Sequence, residues 1–311
     1  MKCWATLIWV IAFNYWFMDF IEKIITFLSS ALLLTMEISL QLFGGLLIGG
    51  LILYLLARFT RNLFSQTFGY RTEIFVTAWI GTPVHEMGHA FFCLLFGHKI
   101  KKIKLFSPNA KDGSLGSVEH SYNPRNIYQR VGNFFIGAGP LFFGSAIIFL
   151  LIWFLLPNGN AVLNMQDGGI SAITLDQDGI VQFFKNSWTE TIAVIPIIFS
   201  GANIGLWQFW LFMYLSLAIS THMELSPPDL KLMWNGFFII LLLIFIFNVI
   251  YLLFFSDSNN ILFKGTALFS YLNQILFVGL FFSFINFLIT WLIAIVVGVI
   301  FLRKVPNPLS R

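Results

Sequence analysis

Charge-free apolar runs close to twenty residues long dominate this chain, and they set its environment before any motif is considered. A bilayer core about 30 Å thick is crossed by about 20 apolar residues in helix, which satisfies its own backbone hydrogen bonds. Such runs occur at Ile38–Ala57, at Ile74–Gly97, which also carries His85, Glu86 and His89, and at Val131–Leu156 and Phe237–Phe255. Thr191–Ser220 is also charge-free, but Ser200-Gly201-Ala202-Asn203 interrupts it, so we expect a broken first piece and a span from about Ile204. Gly265–Leu302 as one helix would measure about 57 Å, so we expect its first part, around Tyr271–Gln274, to lie in the interface or break the helix. Asp19, Glu22 and Lys23 divide the first 36 residues into short pieces that add one or two spans. Met1-Lys2 and the apolar run to Phe17 resemble a signal sequence without a small-residue cleavage site, and we expect this segment to be retained.

The expected fold is an all-α polytopic membrane protein of six to eight transmembrane helices. Of 311 residues, 58% are apolar and 10% charged, against about 25% charged in a soluble domain. This excludes a soluble enzyme and a nucleic-acid reader; the net charge of +4 fits Lys and Arg in cytoplasmic loops instead. Residues 98–130 carry seven cations, among them Lys99, Lys101, Lys102 and Lys104, against Asp112 and Glu119. Residues 157–190 carry Asp167, Asp176, Asp178 and Glu190 against Lys185. The positive-inside rule places the first loop and the C-terminus in the cytoplasm and the second loop outside, at the expense of Arg58, Arg61 and Arg71, which would fall outside. Gly168-Gly169 and Asp178-Gly179 are turn signals that would allow a hairpin in the outer loop. The two cysteines, Cys3 and Cys93, lie in apolar stretches and suggest no disulfide.

Inside the second run stands His85-Glu86-Met87-Gly88-His89, an HExxH motif. On a helix the two imidazoles are one turn apart on one face and can share one Zn²⁺. Glu86, rotated by about 100°, can take a proton from a water that the metal acidifies, without ligating the metal itself. With five His and seven Glu, chance would produce about 0.002 such matches. Two His and a Glu amid apolar residues are also costly unless they bind something. Pro83 and Gly81 can start or kink the helix, and Gly88 keeps one face thin for a close approach. A catalytic zinc needs a third protein ligand and an open position. The candidates are Asp229, within Ser226-Pro227-Pro228-Asp229, then His222 and Glu224, with His98 and His120 in the basic loop. Asp229 could equally cap the helix that follows.

On these residues the chain resembles the M50 (site-2 protease) family of intramembrane zinc metalloproteases. The resemblance rests on the HExxH motif at 85–89, on Ala138-Gly139-Pro140-Leu141, similar to the family's AGPxxN signature, and on Pro227-Pro228-Asp229, similar to its third-ligand motif. It covers about residues 72–235. Phe143 stands where the signature has Asn, Leu230 follows Asp229 where the family usually has Gly, and there is no room for a PDZ module.

The resemblance implies one Zn²⁺ per chain held by His85, His89 and Asp229, with Glu86 catalytic, and a membrane-protein substrate. It also implies a small membrane-associated β-sheet after the catalytic helix, with strands at Lys99–Phe106 and Leu115–His120. An unwound substrate could pair with its edge. The expected organisation is N-terminal spans over 1–71, a protease core over 72–235 and C-terminal helices over 236–311. Within the core, the catalytic helix covers 72–97, the cytoplasmic β/loop region 98–130, a helix 131–156, the outer loop 157–190, a helix 191–220 and the third-ligand region 221–230. Two other readings stand beside this one: a membrane zincin cutting soluble tails with Glu224 as third ligand, and a scaffold or transporter with a structural metal. The sequence leaves the oligomeric state open. The implied location is a bacterial-type cytoplasmic membrane, with the active site toward the cytoplasm.

Overall fold

The structure, a computed structural model, describes residues 2–109, 114–164, 177–254, 262–302 and 306–309. It is mostly helical. Helix α1 (Lys2–Thr67) is followed by a short α2 (Tyr70–Glu73), a π-helical turn (Ile74–Ala78) and α3 (Trp79–Leu95). Strands β1 (Lys99–Lys104) and β2 (Ser117–Ser121) form an antiparallel pair, with Ile100 opposite His120 and Lys104 opposite Ser117. Helices α4 (Ile127–Gly137), α5 (Gly139–Leu155), α6 (Gly159–Asn164), α7 (Gln177–Ile198), α8 (Gly201–Ile204) and α9 (Trp207–Ser220) lead to α10 (Pro227–Phe254) and α11 (Leu262–Val297).

Among the described residues, four helical stretches are long and apolar enough to cross a membrane: Asn14–Leu40, Leu42–Thr67, Pro227–Phe254 and Leu276–Phe301. The bent pair α4 and α5, meeting at 60°, makes a fifth if taken as one span. Six to eight spans are not confirmed by these stretches. Two of the expected spans form shorter helices. The run at 74–97 becomes a π turn and a 17-residue α3, about 26 Å long. The run at 191–220 ends α7 at Ile198 and resumes as the 14-residue α9, about 21 Å long. Its break falls at the Ser200–Gly205 segment, as the sequence led us to expect, although α9 starts at Trp207 rather than Ile204.

Two other expectations are corrected. Of the two alternatives for the C-terminal run, the break near Tyr271–Gln274 is excluded, since α11 is continuous from Leu262 to Val297. Polar Asn and Gln leave the helical backbone bonds intact, whereas a break needs Pro, paired small residues or an inserted group. A hairpin at 157–190 is not formed by the described part: Asp178-Gly179 lies in α7, whose residues 180–195 contain neither Gly nor Pro. Gly168-Gly169 falls outside the described residues.

The core gathers Phe43 and Leu53 of α1, Phe134 of α4, Leu141 and Ile148 of α5, Phe212 of α9, Phe237 of α10 and Phe282 of α11. Phe43 packs edge-on against both Phe134 and Phe237, with ring centroids 5.0 and 5.3 Å apart. Two close helix approaches position the motif helix. A Cβ on Gly88 would lie 2.8 Å from the Gly139 carbonyl oxygen, and one on Gly139 would lie 2.8 Å from that of Gly88. The thin face at Gly88 and the Ala-Gly-Pro start of α5 thus seat α3 directly on α5.

Candidate metal centre

The local sequence dictates how α3 begins and ends. Pro83 lacks the N–H that would bond one turn back, and the π turn lies immediately upstream of its helix. At the other end Gly97 takes φ 67°, the left-handed region open to glycine. The Gly97 N–H then donates to the Leu94 carbonyl at 3.2 Å and the His98 N–H to the Cys93 carbonyl at 2.8 Å, a Schellman closure. Between these ends, His85 and His89 face one way with their ring centroids 4.9 Å apart.

Each imidazole is oriented by a backbone carbonyl. His85 Nδ1 donates to the His222 carbonyl and His89 Nδ1 to the Ile136 carbonyl, both at 2.7 Å. With Nδ1 carrying the hydrogen, each Nε2 presents a lone pair. The two Nε2 atoms are 3.2 Å apart. Asp229 Oδ1 lies 3.2 Å from His89 Nε2 and Asp229 Oδ2 lies 3.7 Å from His85 Nε2. Three acceptors thus converge with no donor between them, an arrangement that a cation resolves. Nitrogens bonded to one tetrahedral Zn²⁺ at 2.0–2.1 Å are about 3.3 Å apart, close to the separation here. The donor set and its carbonyl anchors fit a zinc ion held by His85, His89 and Asp229.

Asp229 reaches the histidines from the first turn of α10. Pro227 and Pro228 occupy the opening positions, where no backbone donor is needed. Asp229 Oδ2 accepts from the Ser226 N–H at 2.8 Å and from the Ser226 hydroxyl, and the Asp229 N–H approaches Ser226 Oγ at 3.4 Å. This is a capping box, so the capping role and the approach to the histidines coexist. Of the competing residues, His222 contributes its carbonyl to His85 while its own ring donates to the Ala218 carbonyl at 3.1 Å. Glu224 is ion-paired with Arg61. His98 and His120 stand together at the far end of α3, with their Nδ1 atoms 3.1 Å apart.

Glu86 is buried beside the pair. A Cβ on Gly116, just before β2, would lie 2.6 Å from Glu86 Cγ, so the strand reaches the carboxylate only because that position is glycine. Glu86, His85, His89 and Asp229 line a cavity of about 740 Å³, with Ser117 and Val118 of β2 on another wall. Arg61 and Glu73 also line it. The charge rule leaves Arg61 outside as an exception; in the structure it lies in α1, paired with the partly buried Glu224 carboxylate beside the cavity, and that departure from the rule was the available signal. The carbonyls of Ile136 and His222 left no signal, because any residue type supplies one.

These features define a class: an integral membrane protein of apolar helices with an HExxH helix whose histidines meet a distant carboxylate. Residues 63–175 match the family model described as Peptidase M50B-like, and the match supports the M50 (site-2 protease) family. It takes in the HExxH motif, the β-pair and Ala138-Gly139-Pro140 and ends before Asp229. The family suggests a metalloprotease. No curated protein and no solved structure matches the chain.

Proposed function

We propose that this chain is an intramembrane zinc metalloprotease that hydrolyses a peptide bond of a membrane-protein substrate within or near the bilayer. The observation that carries the reading is the convergence of His85 Nε2, His89 Nε2 and the Asp229 carboxylate, each held by a backbone or capping bond, on a cavity that also contains Glu86. Zn²⁺ bound there would act as a Lewis acid toward a peptide carbonyl and acidify a water. Glu86 would accept a proton from such a water and later return it to the leaving amine. Glu86 is buried, with Gly116 close against its side chain. Asp229 supplies one negative charge, and the carbonyls of Ile136 and His222 fix the imidazole tautomers.

A helical substrate shields its peptide bonds, so it must unwind before reaching Glu86. The β-pair supports this step. β2 runs along the cavity wall, and an extended segment laid beside a sheet edge regains its backbone hydrogen bonds. The exposed lysines of β1 favour an orientation toward a cytoplasmic face rich in anionic headgroups. Pairing of Glu224 with Arg61 and the distance of its role from the histidines favour Asp229 as third ligand.

The test is zinc content by elemental analysis of the detergent-purified chain and of His85→Ala/His89→Ala, followed by proteomics of membranes expressing wild type or Glu86→Gln. The proposal requires a zinc that depends on His85 and His89. It also requires membrane-protein fragments with wild type that disappear with Glu86→Gln while the intact precursors co-purify. Zinc unaffected by the histidine changes, or identical fragments with both chains, refutes it.

A further inference from the structure

The Schellman turn that ends α3 does more than stop the helix. It folds His98 back so that its backbone N–H bonds the Cys93 carbonyl, bringing the two side chains to one place. Strand β2 then brings His120, opposite Ile100 in the register, to the same point. Cys93 Sγ and one ring nitrogen from each of His98 and His120 lie within 4.8 Å of one another. Cys93 is a free thiol with no exposed surface, and His98 is buried at 4% exposure.

His98 Nε2 donates to the Gln129 carbonyl at 2.8 Å, which leaves Nδ1 as a lone pair. That Nδ1 faces His120 Nδ1 at 3.1 Å. The His98 ring is further fixed by stacking on Tyr122, with centroids 5.1 Å apart. A backbone carbonyl behind one ring nitrogen and an inward lone pair on the other is the same device that orients His85 and His89.

We propose that Cys93, His98 and His120 form a second metal site, distinct from the His85/His89/Asp229 centre, for a borderline or soft cation such as Zn²⁺. One thiolate and two imidazoles are the donor types that Zn²⁺ prefers, with water in the fourth position. His120 also lines the main cavity, which provides a route of entry. The site has a mechanical consequence. It ties the C-terminal end of the HExxH helix to the start of β1 and the end of β2, and so fixes the strand that carries Gly116 against Glu86. The inference stands on its own residues and does not require the protease reading.

The competing arrangement is a plain hydrogen bond from His120 Nδ1–H to His98 Nδ1 beside an idle thiol. The experiment uses the full chain in detergent, stripped with chelator under reducing conditions and reloaded with Zn²⁺ or Co²⁺. The proposal expects about two metals per wild-type chain and a thiolate-to-cobalt charge-transfer band in the near ultraviolet. His85→Ala/His89→Ala retains about one metal and the whole band. Cys93→Ser abolishes the band, and His120→Ala, a change on a half-buried strand position that spares the core, reduces the content to about one. If wild type shows no thiolate band, or if His85→Ala/His89→Ala binds no metal, the second site does not exist. A wild type with about one metal and no thiolate band would leave the first centre standing, so the two readings fail separately.

Discussion

Substituting Gly88 by Ala tests how the motif helix is seated. The added Cβ would lie 2.8 Å from the Gly139 oxygen, 2.9 Å from the Gly139 carbonyl carbon and 3.0 Å from the Pro140 nitrogen. All three are backbone atoms at the rigid start of α5, so no side chain can swing away. Relief requires α3 and α5 to separate by several tenths of an ångström. Overpacking of this kind costs about 1–3 kcal/mol, and the better helix propensity of Ala returns at most about 1 kcal/mol. The net is about 1–2 kcal/mol of lost stability. The displacement is felt next door, because His89 holds the Ile136 carbonyl, at the end of α4 three residues before Gly139, at 2.7 Å. Loosening such an anchor lowers metal affinity by about 10–100-fold. Thermal unfolding in detergent and zinc competition with a chelator read the two effects. Gly139→Ala produces the mirror clash and should match it. Gly201→Ala, with nothing within 4 Å of its Cβ, should be silent in both assays. If Gly88→Ala behaves like Gly201→Ala, the reasoning from the close approach of the helices is wrong.

Three further outcomes follow from the geometry. Ser226→Ala removes half of the capping box and should cost about 0.5–2 kcal/mol while keeping the zinc, whereas Asp229→Ala should lose both; equal zinc loss in the two would make the cap, not the carboxylate, the cause. Arg61→Ala leaves Glu224, whose Oε2 already has no hydrogen-bond partner, without its cation. The pair is only partly buried, so the expected loss is about 1–3 kcal/mol, and Arg61→Met/Glu224→Met should recover most of it in the same thermal assay. Asn286→Leu removes the bonds from α11 to the Thr221 hydroxyl and, at 3.3 Å, to the Leu217 carbonyl; unfolding should fall by about 1–2 kcal/mol, and an unchanged midpoint would show that these bonds add nothing.

What the sequence disclosed, and what it hid, divides by the range of the interaction. The His85/His89 pairing is legible because four residues on a helix is a local rule. The β-pair was expected from the resemblance, with Pro, Asn, Asp and Gly at 108–113 between the two stretches. Helix lengths were not legible. α10 and α11 are apolar around their whole circumference, so no periodicity marks where a helix enters or leaves its surroundings. Six to eight spans are not confirmed among the described residues, because an apolar run need not be one helix. The run at 74–97 spends part of its length on a π turn, and the run at 191–220 spends part on a break. Arg61 shows a different limit: its partner Glu224 stands 163 positions away, so no local rule pairs them. The carbonyls of Ile136 and His222 lie beyond any sequence argument, since backbone atoms carry no residue signature.

The third acceptor illustrates how one local motif can serve two ends. An unrestrained Asp has freely rotating side-chain dihedrals, and holding its carboxylate in one pose costs entropy at the moment a cation binds. Here that cost is met on folding. Pro227 and Pro228 fix the backbone of the first turn, and Ser226 offers its N–H and hydroxyl to Oδ2. Oδ1 is thereby left toward His89 at 3.2 Å. The same bonds satisfy a donor that the helix start would otherwise leave unpaired. Leu230 in place of the Gly usual in the resembling family does not disturb this, because residue 230 is already helical, its N–H bonding the Ser226 carbonyl at 3.0 Å. The helix that follows Asp229 therefore acts as the splint for the carboxylate. Any change that frays its first turn should weaken the metal centre before it unfolds the protein.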